Sequence, residues 1–435
     1  MALDRELRRA ADAWRRWRRQ LRRGTGYEED PLLYAREFLT RPVFVHLREL
    51  GADDPLALPL SRWVYRLSEQ RVNRASIAGI AHAWRGEVHP LDAPEQGRFS
   101  LAEVLRRALL QPARRGAWLG ALFASAATLS ERGAILWQRR AELAERAGLA
   151  SPDAIELVCP EIGALAEAWL TRTQDLASSE LPRHDLTAMI DVALGVEAAE
   201  GWPARVSPRA VQELFTGTRL LEGLELDPGH LPDTIGPTSF VRALLRVGAA
   251  FGDATASRHK PFVLAHDAYG LRRRELGGLF GLLPLLPAFV RSRLGLGRDR
   301  ARRHLRALGL ALLVASRVQA LKVLLRSSAH SGKRPHAEAL EAGLERVFYD
   351  GISGVPPHAF LRLDVDDSQR FAGTLSAPRR HEILLDEHDE DWFDNPRAAD
   401  QLRAEAALTP PVVLTRSELE SRSDACYRFI VEAIG

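Results

Sequence analysis

Apolar residues recur at spacings of three and four along most of this chain, and that period is typical of amphipathic helices. The pattern is clearest over Leu101–Leu110, Trp118–Leu129, Ile135–Leu149, Ile162–Thr173, Phe240–Phe251 and Leu305–Leu325. Strand-like runs are few and short, namely Val43–Leu47, Val158–Pro160 and Val412–Leu414. Because runs of this length do not build a sheet, the sequence predicts a large all-α protein with little or no sheet.

Helix-start signals agree with this periodicity. Ser100 precedes an apolar stretch and has Glu103 three residues later, which predicts a capping box. Pro152 stands at the first position of another helix, where its missing N–H costs little. The run from Thr415 to Glu418 is a further start signal and predicts a C-terminal helix.

Composition places the chain among globular proteins of a reducing compartment. It has 435 residues, of which 46% are hydrophobic and 27% charged, so it can bury a large core without disulfides or metals. Cys159 and Cys426 are its two cysteines, and no Cys/His cluster has the spacing of zinc ligands. A disulfide scaffold and a zinc ribbon are therefore excluded, and the cytoplasm is the expected location.

The basic residues are almost all arginine. Lys+Arg is 60, and only Lys260, Lys322 and Lys333 are lysines, which leaves 57 arginines. This bias is typical of a GC-rich bacterial genome, and the net charge of +3 is small for the length. We therefore do not interpret the arginine content as a nucleic-acid signature.

No segment has the properties of a membrane span. The longest uncharged apolar run, 276–290, is shorter than the roughly 20 residues that a spanning helix needs, and Pro284 and Pro287 interrupt it. It predicts a buried helix followed by a turn. The opening segment lacks the apolar region of a signal peptide, because charges interrupt every candidate.

From about residue 160 onward, a series of segments follows a recognisable order. They are AEAWLTRT, His184-Asp185-Leu186, SFVRALLRVGAAF, PFVLAHDAYGLRRRELGGLF, HLRALGLALLVASRVQALKVLL, LRLDVDDSQRFAGTLSA and DWFDNPRAADQLRAE. In this order they resemble the thimet-oligopeptidase/oligoendopeptidase F-like zinc peptidases. The resemblance implies a large, two-lobed helical protein with a central cleft. Candidate boundaries lie at 24–26, 86–98 and 200–203, and we divide the chain into a basic N-terminal helix over 1–24, an N-terminal lobe over 25–200 and a C-terminal lobe over 201–435. The resemblance implies that the lobe over 201–435 is similar to the catalytic lobe of the family.

The zinc peptidases of that family carry H-E-x-x-H on a helix, with two histidine ligands and a glutamate that polarises water. In this chain Arg246 stands at the first histidine, Val247 at the glutamate and Ala250 at the second histidine. A guanidinium cannot bind zinc, and valine and alanine offer no lone pair. The family's third ligand matches Glu275, and a single carboxylate does not hold the ion.

Two further departures point the same way. The β-like stretch before the family's zinc motif, which would pair with bound peptide, is reduced here to 223–237. The family's oxyanion-stabilising tyrosines have no counterpart in 370–375. The resemblance therefore implies a pseudo-peptidase without metal or cofactor. It would act as a binding or scaffolding protein that holds a peptide or protein segment.

The cleft that this resemblance implies contains further candidate residues, namely Arg242, His266, Asp267 and Tyr269. Arg242 and Arg246 lie one helical turn apart and could bind an anion, or Arg246 could pair with Glu275 in place of the metal. A hydrolase with an unrecognised site around His266, Asp267 and Glu275 is a separate alternative.

The N-terminus offers a different kind of candidate. Nine arginines precede residue 24, and Trp14 and Trp17 stand three apart on the same predicted helix. Such a helix could bind nucleic-acid phosphates or an anionic membrane surface, which would make the chain an unrelated helical interaction module. It could instead dock its tryptophan face on the body, and docking is what we expect.

Overall fold

A computed structural model describes residues 2–88, 93–198, 211, 213–222, 224, 237–330, 337–349, 361–409 and 413–435. Helices account for nearly all regular structure in these ranges, so the all-α prediction is confirmed. Two strands, β1 (Glu87–Val88) and β2 (Phe99–Ser100), pair antiparallel over two residues each. We number the α-helices in chain order within these ranges.

The N-terminal helices run as far as residue 194. They are α1 (Ala2–Arg23), α2 (Arg41–Leu50), α3 (Ala57–Val72), α4 (Arg74–Arg85), α5 (Leu101–Leu110), α6 (Arg115–Ser125), α7 (Ala127–Arg146), α8 (Asp153–Glu156), α9 (Ile162–Arg172), α10 (Gln174–Glu180) and α11 (Leu186–Leu194). Short 3-10 helices lie at Leu33–Glu37, Gly51–Asp53, Pro112–Arg114 and Val196–Ala198.

The C-terminal helices begin at residue 238. They are α12 (Thr238–Thr255), α13 (Phe262–Ala265), α14 (Leu271–Leu282), α15 (Pro287–Ser292), α16 (Arg298–His330), α17 (Ala337–Phe348), α18 (Asp367–His388), α19 (Pro396–Ala406) and α20 (Arg416–Ile434). A 3-10 helix, Leu283–Leu285, connects α14 to the turn before α15. The predicted buried helix and turn over 276–290 are therefore present.

The helix starts follow the local signals. The Ser100 hydroxyl accepts a hydrogen bond from the backbone N–H of Glu103 at the start of α5. Thr415 and Glu418 form a reciprocal capping box at the start of α20. These side chains satisfy N–H groups that would otherwise lack partners in the first helical turn.

Two of the three strand-like runs lie wholly within the described residues, and neither forms a strand; position 412 of the third lies outside them. Val43–Leu47 lies within α2, where Pro42 occupies the first turn and Phe44 and Leu47 are buried three residues apart. The run therefore follows the helical period, in agreement with the expectation that runs of this length do not build a sheet. Val158 and Leu414 share one backbone hydrogen bond of 2.8 Å without forming a ladder.

Helix α16 lies at the centre of the C-terminal half. It packs against α7, α9, α11, α18 and α20. By length and composition it could cross a membrane, and 67% of its most apolar window is buried within the protein. Such burial is typical of the core helix of a soluble protein.

The apolar core has separate clusters. One consists mainly of residues before 150 and includes the buried face of α1, with Phe262 and Val263 as its contribution from the C-terminal half. A second is built around α9, α16, α18 and α20. A third joins α12, α14 and α19.

A buried ion network connects the first of these clusters to the central helix. The Glu156 carboxylate is fully buried between the guanidinium groups of Arg140 on α7 and Arg326 on α16, with 3.0 Å between Glu156 and Arg326. Arg140 also approaches Glu69 on α3, at 3.7 Å. Burial lowers the pKa of Arg140, but Glu156 and Glu69 outweigh it and hold that pKa above its ordinary value.

Candidate functional site

Helix α12 carries the three positions that match the zinc motif. Arg246 is exposed, Val247 is 1% exposed and packs in the core, and Ala250 is half-buried. None of these side chains fits a zinc ion, because the set offers one protonated guanidinium and no lone-pair donor. Among the described residues, no three His, Cys, Asp or Glu side chains come together as a metal site.

At Gly248, between Val247 and Ala250, helix α12 comes very close to the backbone of α14. A Cβ on Gly248 would lie 2.3 Å from the backbone oxygen of Leu276 and 2.9 Å from the Cα of Gly277. In the other direction, a Cβ on Gly277 would lie 2.8 Å from the backbone oxygen of Leu245. The two helices therefore touch backbone to backbone.

Helix α14 is equally close to α18 on its other side. A Cβ on Gly278 would lie 2.7 Å from the backbone oxygen of Gly373, and one on Gly373 would lie 2.7 Å from the backbone carbonyl carbon of Arg274. Close backbone contacts at these glycines thus hold α12, α14 and α18 together around the candidate site.

Glu275 lies on α14 and is 7% exposed. Its carboxylate is ion-paired with Arg422 on α20, and Arg422 also donates a hydrogen bond of 2.7 Å to the Ser376 hydroxyl. The alternative in which Arg246 pairs with Glu275 is wrong, because the ion-pair partner of Glu275 is Arg422. Arg422 was missed because 147 residues separate it from Glu275 and no local pattern distinguishes it from other helical arginines.

His266, Asp267 and Tyr269 are brought together in the segment before α14. They line a cavity of about 180 Å³ with residues from α1 and α3. Helix α12 contributes Ala249, Gly252 and Asp253 to the cavity wall. Arg242 lies on the exposed face of α12, outside this wall as far as the structure describes it.

Asp267 has a structural role at the start of α14. Its carboxylate accepts hydrogen bonds from the backbone N–H groups of Tyr269 at 3.3 Å and Leu271 at 2.9 Å. It also lies 3.7 Å from the Arg62 guanidinium. The Asp267 carboxylate therefore binds these three groups and does not pair with the neighbouring His266 ring.

His266 has a different carboxylate partner. Its Nδ1 lies 3.9 Å from Asp253 Oδ1, and burial lowers the pKa of the imidazole. His266 and Asp267 thus do not form the base–orienter pair that a hydrolase would need. With Glu275 bound to Arg422, the three residues of the hydrolase alternative have three separate partners.

Tyr269 is 3% exposed, and its ring lies under the guanidinium groups of Arg62 and Arg66, with centroid distances of 4.9 and 5.3 Å. Burial raises the pKa of its phenol. The hydroxyl has no hydrogen-bond partner within the described ranges. The phenol is therefore neutral and buried.

A second cavity of about 100 Å³ adjoins the first, and Trp14, Arg66 and Gln70 line both. We call the two cavities together the cleft. Arg18 from α1 and residues 362–365 from the segment before α18 form part of its wall. The cleft thus lies between the N-terminal cluster and elements of the C-terminal half.

Helix α1 is docked on the body. Trp14 is 8% exposed and Trp17 is 1% exposed, and the Trp17 indole donates a hydrogen bond of 2.7 Å to the backbone oxygen of Gly26. Asp4 accepts hydrogen bonds of 3.0 Å from the backbone N–H groups of Phe262 and Val263. The expected docking of the tryptophan face is present.

Two other sequence features have structural contacts or lie outside the described ranges. In the acidic run 364–367, Asp364 pairs with Arg370 at 3.1 Å, and Lys322 binds Asp367 at 2.6 Å. The short stretch 223–237 lies outside the described residues except at 224 and 237.

Solved structures with a similar fold are peptidases. PZ peptidase A in complex with an inhibitor has a TM-score of 0.54 at 10% identity, over 92% of this chain and 82% of that chain. A candidate oligoendopeptidase F gives 0.54 at 12% identity over 92% and 82%, and one from Bacillus anthracis str. Ames gives 0.51 at 11% over 90% and 82%. No protein-family model and no curated protein matches the sequence. At these identities the similarity shows the fold alone.

Proposed function

We propose that this protein is a non-catalytic pseudo-peptidase that holds a peptide or protein segment in its cleft and acts as a binding or scaffolding protein. The observation that carries the proposal is the side-chain set at the matched positions. Arg246, Val247 and Ala250 supply neither ligand nor base, and Glu275 is bound to Arg422. The peptidase fold of the solved neighbours supports a peptide-sized ligand.

The alternative of a hydrolase near His266 has less support. That reading needs His266, Asp267 and Glu275 to act together, whereas Asp267 caps α14 and Glu275 pairs with Arg422. The alternative of a free basic arm is weakened in turn by the burial of Trp14 and Trp17.

We also propose a bacterial, cytoplasmic protein. Cys159 and Cys426 are both buried free thiols, and burial raises their pKa values to about 11 and about 12. Protonated, buried thiols suit a reducing compartment. The arginine bias supports the bacterial origin.

Two assays test the loss of catalysis. We expect the purified protein to contain no stoichiometric zinc by inductively coupled plasma mass spectrometry and to leave quenched fluorescent peptides intact. One zinc per chain together with chelator-sensitive cleavage would refute the pseudo-peptidase proposal.

Binding is tested with a panel of fluorescein-labelled ten-residue peptides and fluorescence anisotropy. We expect at least one peptide to bind and Ala249→Trp, which fills the first cavity, to abolish that binding. The matched control Ala404→Trp places the same side chain at an exposed position of α19 and should leave binding intact. Binding that survives Ala249→Trp would place the peptide outside the cleft.

A further inference from the structure

Arg15 and Arg18 of α1 line the cleft, and Arg22 lies on the same side of the helix. Arg15, Arg18 and Arg22 follow the spacing i, i+3, i+7, so they share one side of the helix. Arg15 lines the first cavity and Arg18 the second. Opposite them lie Arg66 on α3, which lines both cavities, and Arg362, which lines the second.

The arginine cluster, which we define as Arg18, Arg22, Arg66 and Arg362, has few direct acidic partners. Arg18, Arg22 and Arg362 make no hydrogen bond or ion pair with any residue in the described ranges. Arg66 lies 3.8 Å from Glu69, and its Nη1 is a buried donor without a hydrogen-bond partner.

The nearby acids are occupied by other arginines. Asp364 lies 3.1 Å from Arg370, and Asp366 accepts a hydrogen bond of 3.0 Å from Arg274. Glu69 accepts a hydrogen bond of 3.2 Å from the Asn73 amide and also lies near Arg140. These carboxylates are therefore shared with arginines outside the cluster, and they lie close enough to compensate its charge in part.

The electrostatic state of Arg18 agrees with this arrangement. Burial lowers the pKa of Arg18 to about 10; the Asp364 carboxylate opposes this shift, and Arg362, Arg66 and Arg22 add to it. Like charges gathered in a half-buried site are destabilising unless an anion joins them. The guanidinium fork suits bidentate binding of such an anion, above all a carboxylate or a phosphate.

The walls of the cleft favour a peptide over a small inorganic anion. Ile77, Ile80, Leu136 and Trp137 line the second cavity beside Arg18, and Trp63 lines the first. Apolar walls pack against apolar side chains, whereas a free phosphate needs only polar groups.

We propose that the arginine cluster makes the cleft a binding site for an acidic peptide segment, whose carboxylates pair with Arg18, Arg66 and Arg362 while its apolar groups pack on the cleft walls. This inference rests on the proposed peptide-binding function and names the class of peptide. Helix α1 thereby becomes part of the binding site as well as part of the fold.

Two peptides test the charge recognition. One is a fluorescein-labelled decapeptide that alternates glutamate with leucine, and the other has glutamine at each glutamate. We expect the glutamate peptide to bind at least about tenfold more tightly, and its affinity to fall as salt is raised, because exposed ion pairs are screened. Equal binding of both peptides would overturn the inference and leave peptide binding in place. Failure of both, together with the whole peptide panel, would overturn the proposed function as well.

Variants locate the site. The double variant Arg18→Gln, Arg362→Gln should weaken binding of the glutamate peptide by about tenfold or more, since each substitution removes a charged hydrogen-bond donor. The control Arg16→Gln, Arg36→Gln removes the same charge from two exposed positions and should leave binding unchanged. Equal losses in both double variants would show a non-specific charge effect and overturn the inference.

Two further readouts complete the test. The double variant should keep about the wild-type melting temperature, because neither arginine makes a hydrogen bond or ion pair within the described ranges. If it does not fold, the single variant Arg362→Gln at an exposed position replaces it and should weaken binding in the same direction. A single-stranded oligonucleotide of equal charge that displaces the peptide and binds more tightly would identify a nucleic-acid site and overturn the peptide inference.

Discussion

Substituting Gly248 with alanine tests whether α12 and α14 touch through their backbones. The added Cβ would meet the Leu276 oxygen at 2.3 Å and the Leu276 carbonyl carbon at 2.9 Å. Both atoms belong to a helix backbone, so a side-chain rotation does not relieve the contact. The helices must separate.

The size of the effect follows from the geometry. A relaxed carbon–oxygen contact is about 3.3 Å or longer, so the helices must separate by about 1 Å. Helix α14 resists this shift because its other side touches α18 at Gly278 and Gly373. Overpacking typically costs about 1–3 kcal/mol, and we expect a loss of about 3 kcal/mol or more in the free energy of unfolding.

Urea denaturation followed by far-ultraviolet circular dichroism measures this loss. The matched control is Gly120→Ala in α6, where a Cβ meets nothing within 4 Å. The control should gain about 0.5–1 kcal/mol from the better helix propensity of alanine. Wild-type stability in Gly248→Ala would refute the close contact between α12 and α14.

Four other perturbations have expected outcomes. Arg246→Ala should change the free energy of unfolding by less than about 0.5 kcal/mol in urea denaturation, because the residue is exposed. Glu156→Gln should cost about 3 kcal/mol in the same assay, because it removes the carboxylate shared by two buried guanidinium groups. Among the described residues, Arg140 then keeps only Glu69 at 3.7 Å and Arg326 only Asp153 at 3.1 Å as carboxylate partners, and full stability would contradict the network. Deleting residues 1–24 should expose apolar surface to a hydrophobic dye, whereas an unchanged melting temperature would contradict docking of α1. Burial lowers the pKa of His381 to about 4, so the ring stays neutral in the native state at pH 5. In the unfolded state the same ring takes up a proton as the pH falls below about 6.5. About 2 kcal/mol of the free energy of unfolding should therefore be lost between pH 7 and pH 5. The variant His381→Gln should show a correspondingly smaller change between those pH values.

Local signals explain which parts of the fold could be predicted. The Ser100 and Thr415 caps involve partners three residues away, so the sequence alone identifies both ends of each contact. The buried helix before Pro284 follows from an uninterrupted apolar run in the same way. Val43–Leu47 has a strand-like composition and yet lies in a helix, because five residues are too few to separate a helical period from a strand-like run.

The candidate site depends on contacts that a local pattern does not contain. Glu275 and Arg422 are 147 residues apart, and Asp4 reaches the backbone of Phe262 from the opposite end of the chain. A single sequence shows each of these residues as one charged residue among many on a helix surface. The cleft and its arginine cluster thus become visible only when the fold brings α1, α3 and the segment before α18 together.

The contacts around α14 suggest what holds the site together without a metal. In the zinc peptidases that the sequence resembles, ligands from the motif helix and from the following helix meet at one ion. In this chain the corresponding helices meet through Gly248 and Gly277, and Glu275 forms its ion pair with Arg422 on a third helix. A backbone contact this close depends on glycine at both positions, so restoring histidines on α12 alone would not restore a metal site. Because Glu275 is already bound, a zinc ion would have to compete with a buried guanidinium for its third ligand.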